Sequence, residues 1–383
     1  MSKDQFRWKL SPLPWKGYLV LSLHVYALGL MAWFLAFRIF GDRFSFLSLL
    51  NMFAVYLFFA QPLVLIGAVI ARSRGLCVEG IALLLIFSLL WGRYFTPKSA
   101  EAGNAPVLRV LTYNVLGYNQ GVSPQVETIR TMDADVVFLQ ELNVELGDIL
   151  QTQLAEQYPY QILNPEAGVN GMGVLSKYPL RVAGEVPDLG WVGDPQWLVL
   201  EWQGCEIGLI NFHMAPTNSI APRHVNDTNA RRQQQARWLT AHIDPSTPVI
   251  LAGDTNSTPL SDAYRLLSAV LQDAWVEAGW GLGHTFPGRS GEGSSRPTVM
   301  GIPVPMWLIR IDDIFYTRSF SAVQARLAPF DGVSDHRGVF AALRLNERCP
   351  VPGAEAGSTL PPPLLSYRNT PFWAAGDAWR DEN

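Results

Sequence analysis

Two stretches near the N-terminus constrain this chain more than anything else in it. Gly17 to Phe37, GYLVLSLHVYALGLMAWFLAF, and Phe44 to Ala71, FSFLSLLNMFAVYLFFAQPLVLIGAVIA, carry no formally charged residue. Each exceeds the ~20 residues a helix needs to cross the hydrocarbon core of a bilayer. A third stretch, Gly75 to Phe95, holds Glu79 and Arg93 near its ends. It reads as a span if both charges sit at the interfaces; the competing reading is an interfacial or re-entrant segment. The first stretch is longer than the ~7–15-residue core of a cleaved signal and is followed at once by another. Residues 1–95 are therefore expected to form a membrane anchor of about three helices, over about 17–37, 44–71 and 75–95. Its polar residues His24, Asn51 and Gln61 are expected to pack between helices rather than to build a transport site.

Basic residues near the spans set the expected orientation. Lys3, Arg7, Lys9 and Lys16 precede the first span and form the largest such group, which favours an inside N-terminus. Three spans then carry the rest of the chain to the extracytoplasmic side of a plasma or inner membrane, and two leave it inside. Cys77, Cys205 and Cys349 make neither a disulfide framework nor a zinc site. A net charge of −4 argues against a generally basic nucleic-acid binder.

Composition shifts at a Pro/Gly/Ala linker, 96–104. Beyond it apolar runs alternate with amphipathic stretches, the signature of an α/β layer architecture. Residues 224–244 read as a helix burying Ala230, Ala236, Trp238, Leu239 and Ile243, with Arg231 and Arg232 on a solvated face or, alternatively, turned toward an anionic substrate. From 346 to 383 the chain is rich in Pro and Gly without periodicity, and reads as a disordered tail.

The apolar strands share one habit: each ends in a polar residue that is costly to bury unpaired. RVLTYNV ends near Asn114, DVVFLQEL carries Glu141, GLINFHM carries His213, VILAGDTN carries Asp254 and Asn256, RIDDIF carries Asp312, and GVSDHRGVF opens with Asp335 and His336. Singly, each passes for a turn residue, a strand-end carboxylate or a satisfied histidine. Together they imply one edge where several carboxylates converge, and a divalent cation relieves their repulsion. Hard oxygen donors without cysteine suit Mg²⁺ or Mn²⁺, which points to metal-assisted phosphoryl chemistry. Asp313 is expected on the opposite face from Asp312, and Thr255 opposite Asp254 and Asn256. Asp262 is expected to cap the helix beginning near Ala263.

The ordered set TYNV, LQEL, LSKYP, NFHM, LAGDTNSTP, RIDDIF and SDHRGVF resembles the endonuclease/exonuclease/phosphatase superfamily over roughly residues 105–345. The resemblance implies a four-layer α/β/β/α sandwich of two mixed sheets, here preceded by the helical anchor. It further implies that Glu141, with Asn114 and Asp335, holds the metal. Asp254 would orient and deprotonate water, Asn256 would bind the scissile phosphate, and His336, oriented by Asp312, and His213 would contact phosphate or leaving group. The family's substrates run from nucleic acid to inositol phosphates and phospholipids, and fold does not choose among them. Loops 279–305 and 215–227 lack the Lys/Arg density of a duplex binder and an aromatic series for single strands. The anchor raises the local concentration of lipid head groups. The expected substrate is therefore a lipid or other surface phosphodiester or phosphomonoester; the alternatives are a nuclease acting on DNA or RNA and a non-catalytic binding module. No protein partner is inferable.

Overall fold

The computed structural model describes residues 15–98, 105–118, 121–288, 296 and 298–346. The expectations for Lys3, Arg7, Lys9 and Cys349, for linker residues 99–104 and for the tail from 347 onward lie outside them. The N-terminal part forms α1 (Trp15–Phe40), α2 (Ser45–Met52), α3 (Ala54–Leu57), α4 (Gln61–Ala71) and α5 (Arg74–Trp91). Three helical segments are long and apolar enough to cross a membrane: Trp15–Phe40, Ala54–Ala71 and Arg74–Tyr94.

The uncharged stretch 44–71 is thus not one helix. Asn51 is buried near the end of α2, where its amide donates to the Gly41 carbonyl and its side-chain oxygen accepts from the Trp33 indole, both at 3.1 Å. This ties α2 to the end of α1, and the chain turns at Phe53 before continuing. Gln61 donates to the Gly80 carbonyl at 3.4 Å, and His24 pairs with Glu79 at 2.8 Å. These polar side chains do pack between helices.

After the linker the chain builds β1 (Val107–Asn114), α6 (Ser123–Met132), β2 (Val136–Gln140), α7 (Val144–Gln153), β3 (Tyr160–Asn164), β4 (Met172–Ser176), β5 (Leu180–Gly184), β6 (Gln196–Trp202) and β7 (Cys205–His213). There follow α8 (Pro222–Ala241), β8 (Val249–Asp254), α9 (Asp262–Val270), β9 (Gln272–Asp273), α10 (Ala274–Ala278), the short hairpin β10 (Thr298–Val299) and β11 (Ile302–Pro303), β12 (Asp312–Tyr316), β13 (Phe320–Leu327) and β14 (Val339–Leu345). Two six-stranded sheets result, ordered β13-β14-β1-β2-β4-β3 and β5-β6-β7-β8-β12-β9. Each is mixed, with one parallel pair: β1 with β2, and β7 with β8.

Strand periodicity explains the layers. Successive side chains face opposite ways, so Leu108 and Val110 of β1 face the second sheet's Leu209, Ile250 and Ala252, whereas Leu111 and Tyr113 face Val126 and Ile129 of α6. In the second sheet Ile210, Phe212 and Leu251 turn outward onto Ala236 and Leu239 of α8 and Leu267 of α9. The four-layer sandwich is the consequence. On α8, Ala236 and Leu239 are buried as expected, but Ala230 is exposed. Arg231 is exposed while Arg232 is 3% exposed, so the two arginines do not share a solvated face. Each residue along a helix is rotated by about 100° from the one before it, enough to put adjacent residues on different sides.

Candidate active site

The ends of both parallel pairs arrive at one edge, the arrangement in which α/β sheets collect binding groups. Asn114 closes β1. Its amide donates to Glu141 Oε1 at 3.0 Å and to Asp254 Oδ2 at 3.1 Å, and its side-chain oxygen accepts from the Leu116 amide at 3.1 Å. Glu141 follows β2 in the left-handed region, φ 58°, uncommon for a residue with a side chain. That turn brings Oε2 to the Gly117 amide at 3.1 Å. Burial pushes the Glu141 carboxyl above the ordinary carboxylate range, against the pull of His213 and Asn114.

His213 closes β7 and lies in register with Asp254, the last residue of β8, which in turn pairs with Asp312, the first of β12. The His213 Nε2 to Asp254 Oδ2 distance is 3.4 Å, and His213 Nδ1 is buried with no hydrogen-bond partner among the described residues. Burial alone would raise the Asp254 carboxyl, but His213, His336 and the Asn256 amide hold it below its usual range, so it is ionised at neutral pH. Asp312 Oδ2 and His336 Nδ1 are 2.8 Å apart, which leaves Nε2 of His336 facing Asp254 at 3.8 Å. Burial would lower the His336 ring, yet Asp312, Asp254 and Asp335 raise it well above the ordinary value, favouring the imidazolium.

Asn256 stands beyond the strand, not on it. It adopts φ 46°, its amide N donates to Asp254 Oδ1 at 2.8 Å, and its side chain donates to the Met214 carbonyl at 2.9 Å. The two-residue spacing from Asp254 therefore works through a left-handed turn rather than strand alternation. Thr255 turns the other way, its backbone amide donating to the Ile311 carbonyl and its hydroxyl to Asp313 Oδ2, both at 2.8 Å, and Asp313 lies opposite Asp312 as expected. Asp335 is 2% exposed, its Oδ1 4.0 Å from His336 Nε2. Asp262 does not cap its helix: Ser261 holds the N-cap position, and Asp262 instead accepts from the backbone of Asp42.

All eight predicted residues thus lie within one connected group. Sequence reading missed the residues that hold them. Ser334 donates to the Asn114 carbonyl at 2.8 Å and accepts from the His336 amide at 3.0 Å, locking β1 to the Asp335–His336 turn. Thr285 accepts from the Ile311 amide at 3.2 Å ahead of Asp312. The sole signal for Ser334 was its place immediately before Asp335 and His336.

The donors suit a hard divalent cation: buried carboxylates and an amide oxygen, with no thiolate. Glu141 in particular is a buried carboxylate that, among the described residues, accepts from the Asn114 side-chain amide and the Gly117 backbone amide. Polar atoms of Asp254, Asp312 and His336 also lie within 4.8 Å of one another. The hydrogen bond between two of those three accounts for that compactness. An ionised Asp254, a protonated His336 and a cation-seeking Glu141 gathered at one sheet edge make up the groups a phosphoester hydrolase needs: a proton acceptor, positive charge for the phosphoryl oxygens, and a metal ligand.

The site and fold define a metal-dependent phosphoester hydrolase of the sandwich type. Residues 111–336 match the model of the endonuclease/exonuclease/phosphatase family, and the chain belongs to that family. Among solved structures, the protein resembles an endonuclease/exonuclease/phosphatase from Beutenbergia cavernae, with 23% identity over 62% of this chain and 72% of that one and a TM-score of 0.44. It also resembles D. rerio TDP2 complexed with single-strand DNA product, with 18% identity over 62% and 99% of the two chains and a TM-score of 0.48. A family protein from Bacteroides vulgatus gives 21% identity over 63% and 99%, with a TM-score of 0.47. No curated protein matches.

Proposed function

We propose that this protein is a membrane-anchored, Mg²⁺- or Mn²⁺-dependent phosphoesterase acting on a lipid or other surface phosphoester. Residues 1–95 serve as the anchor and 105–345 as the catalytic domain. Glu141, with Asn114 and Asp335, holds the metal, which supplies Lewis-acid polarisation of the phosphoryl oxygens. Asp254 takes the proton of the attacking water. Asn256 and His213 contact the scissile phosphate, and His336, held by Asp312, stabilises the charge that develops there.

One observation carries the surface substrate: helices apolar enough to cross a bilayer are docked onto the catalytic domain a few residues from its phosphate loop. Asp42 and Asp262 exchange hydrogen bonds at 3.0 and 2.8 Å, and Tyr56 Oη donates to the Leu308 carbonyl at 2.6 Å. Residues 262 and 308 of the catalytic domain are therefore held close to any membrane that the helices cross. Full-length protein with Mg²⁺ is expected to release phosphorylated head group from phospholipid vesicles, and EDTA to stop it. Plasmid nicking without vesicle hydrolysis would make it a nuclease, and hydrolysis of neither would return it to a binding module.

With the N-terminus inside, three spans would carry the catalytic domain to the extracytoplasmic side. A C-terminal alkaline phosphatase fusion is expected to be active in the periplasm of a bacterial host. An active cytoplasmic reporter at the same position would reverse the orientation.

A further inference from the structure

The contacts between the N-terminal helices and the catalytic domain lead inward to the loop carrying Asp254 and Asn256. At the turn after α1, Asp42 is buried and exchanges hydrogen bonds with Asp262, while Asn51 donates to its Oδ1 at 3.2 Å. One turn into α2, Ser48 Oγ accepts from Asn229 Nδ2 of α8 at 2.8 Å. Asn229 Oδ1 accepts from Arg232 at 2.6 Å, and the other guanidinium nitrogen of Arg232 donates to the carbonyl of Asn256. Ser48, Asn229 and Arg232 are all buried, so water offers them no alternative partner, and each bond depends on the next.

The last link bears on the chemistry. Asn256 sits in the left-handed region, sparsely used by residues with a side chain. That conformation aims its amide at Asp254 Oδ1. A charged donor on the Asn256 carbonyl holds the turn in place; burial lowers the Arg232 guanidinium only to about 10, so it stays charged at neutral pH. The other flank of the loop is braced from the same side. Tyr94, just after α5, lies 5.9 Å from the Arg310 guanidinium, which pairs with Asp313 at 2.6 Å, and Asp313 accepts from Thr255.

We propose that Arg232 is a positioning residue for the Asp254–Asn256 loop, and that its own position is set by Ser48 of the N-terminal helices through Asn229. The membrane part is then a component of the active site as well as a tether. This inference rests on the assignment of Asp254 and Asn256 to the reaction.

The test uses the full chain in detergent micelles, bis(4-nitrophenyl) phosphate with Mg²⁺ as probe, and amide hydrogen exchange across 254–258 as a readout independent of turnover. A lysine cannot span both Asn229 and the Asn256 carbonyl as a guanidinium does. Arg232→Lys is expected to lower kcat by about 10²-fold, the cost of roughly 1 Å of misplacement, with KM within about twofold. Asn229→Ala and Ser48→Ala are expected to lower kcat by about 10-fold, a fraction of that cost, and all three to speed exchange in the loop but not in β2. Arg237→Ala, on the exposed side of α8, is expected to match the parent. Parental kcat and loop exchange in both Asn229→Ala and Ser48→Ala would overturn the link to the N-terminal helices; the same result for Arg232→Lys would overturn the positioning role. An inactive parent would instead overturn the assigned reaction, with hydrogen exchange still reading the coupling.

Discussion

Asp254→Asn is expected to lower kcat by about 10²–10⁴-fold, the range a positioned general base contributes, while the protein stays folded. The carboxylate is 1% exposed and lies between His213 Nε2 at 3.4 Å and His336 Nε2 at 3.8 Å. Its Oδ1 accepts from the Asn256 amide, and an asparagine oxygen keeps that bond. The variant loses the negative charge that accepts a proton and that holds both imidazoles toward their charged forms, together with the Oδ2 acceptor of the Asn114 amide. The measurement is kcat at saturating Mg²⁺ with a thermal melt alongside. Turnover within tenfold of the parent would remove Asp254 from the role of base. Thr255→Ser keeps the hydroxyl that bonds Asp313 and the backbone amide that bonds the Ile311 carbonyl, so it should change neither quantity and serves as the control.

Arg310→Met is expected to cause the largest loss of stability, roughly 3–5 kcal/mol, the usual cost of removing one partner from a buried ion pair. The Arg310 side chain is 1% exposed and bonds Asp273 at 2.7 Å, Asp313 at 2.6 Å and the Tyr264 hydroxyl at 3.2 Å. Methionine fills much of the volume but leaves two buried carboxylates facing each other. At roughly 2–4 °C per kcal/mol for a domain of this size, the melting temperature should fall by about 10 °C.

The sign of the pH dependence follows from Asp313. Burial, with Asp273 and Asp312, pushes its carboxyl up to about 7 against the pull of Arg310 and Thr255. A carboxyl raised above its unfolded value costs nothing below that unfolded value, and its penalty is complete only above the folded one. Without Arg310 the carboxyl rises further, so the deficit of the variant should be greatest above pH 7 and shrink as the pH falls toward 4. A melting temperature equal to that of the parent at pH 8 would mean that the pair adds nothing.

The strand-end residues were legible because each breaks a local rule. Asn114, His213, Asp254 and Asp312 end or begin apolar runs where burial without a partner is costly, and that anomaly is visible in one dimension. Alternation along β8 and β12 likewise assigned Thr255 and Asp313 to the far face. The helical reading of α8 failed at Arg232 and Ala230 because an arginine in a polar segment looks solvated. Its burial is stabilised by Asn229 and the Asn256 carbonyl, one of them 24 residues away in sequence. Asp262 was misread for the same reason: its partner, Asp42, is 220 residues distant.

Hydrophobic periodicity and polar strand ends are properties of short windows, so the apolar helical segments, an α/β layer architecture and the candidate site residues were legible in one dimension, while the two-sheet sandwich came from the resemblance of the ordered motifs. How these parts meet follows from contacts between distant stretches of chain. The tertiary structure broke the 44–71 stretch at Phe53, turned Asn256 through a left-handed residue rather than along a strand, and seated the N-terminal helices on the Asp254–Asn256 loop through Ser48, Asn229 and Arg232. Such hydrogen bonds join residues far apart in the chain, and their energy depends on burial that exists only once the whole molecule has packed.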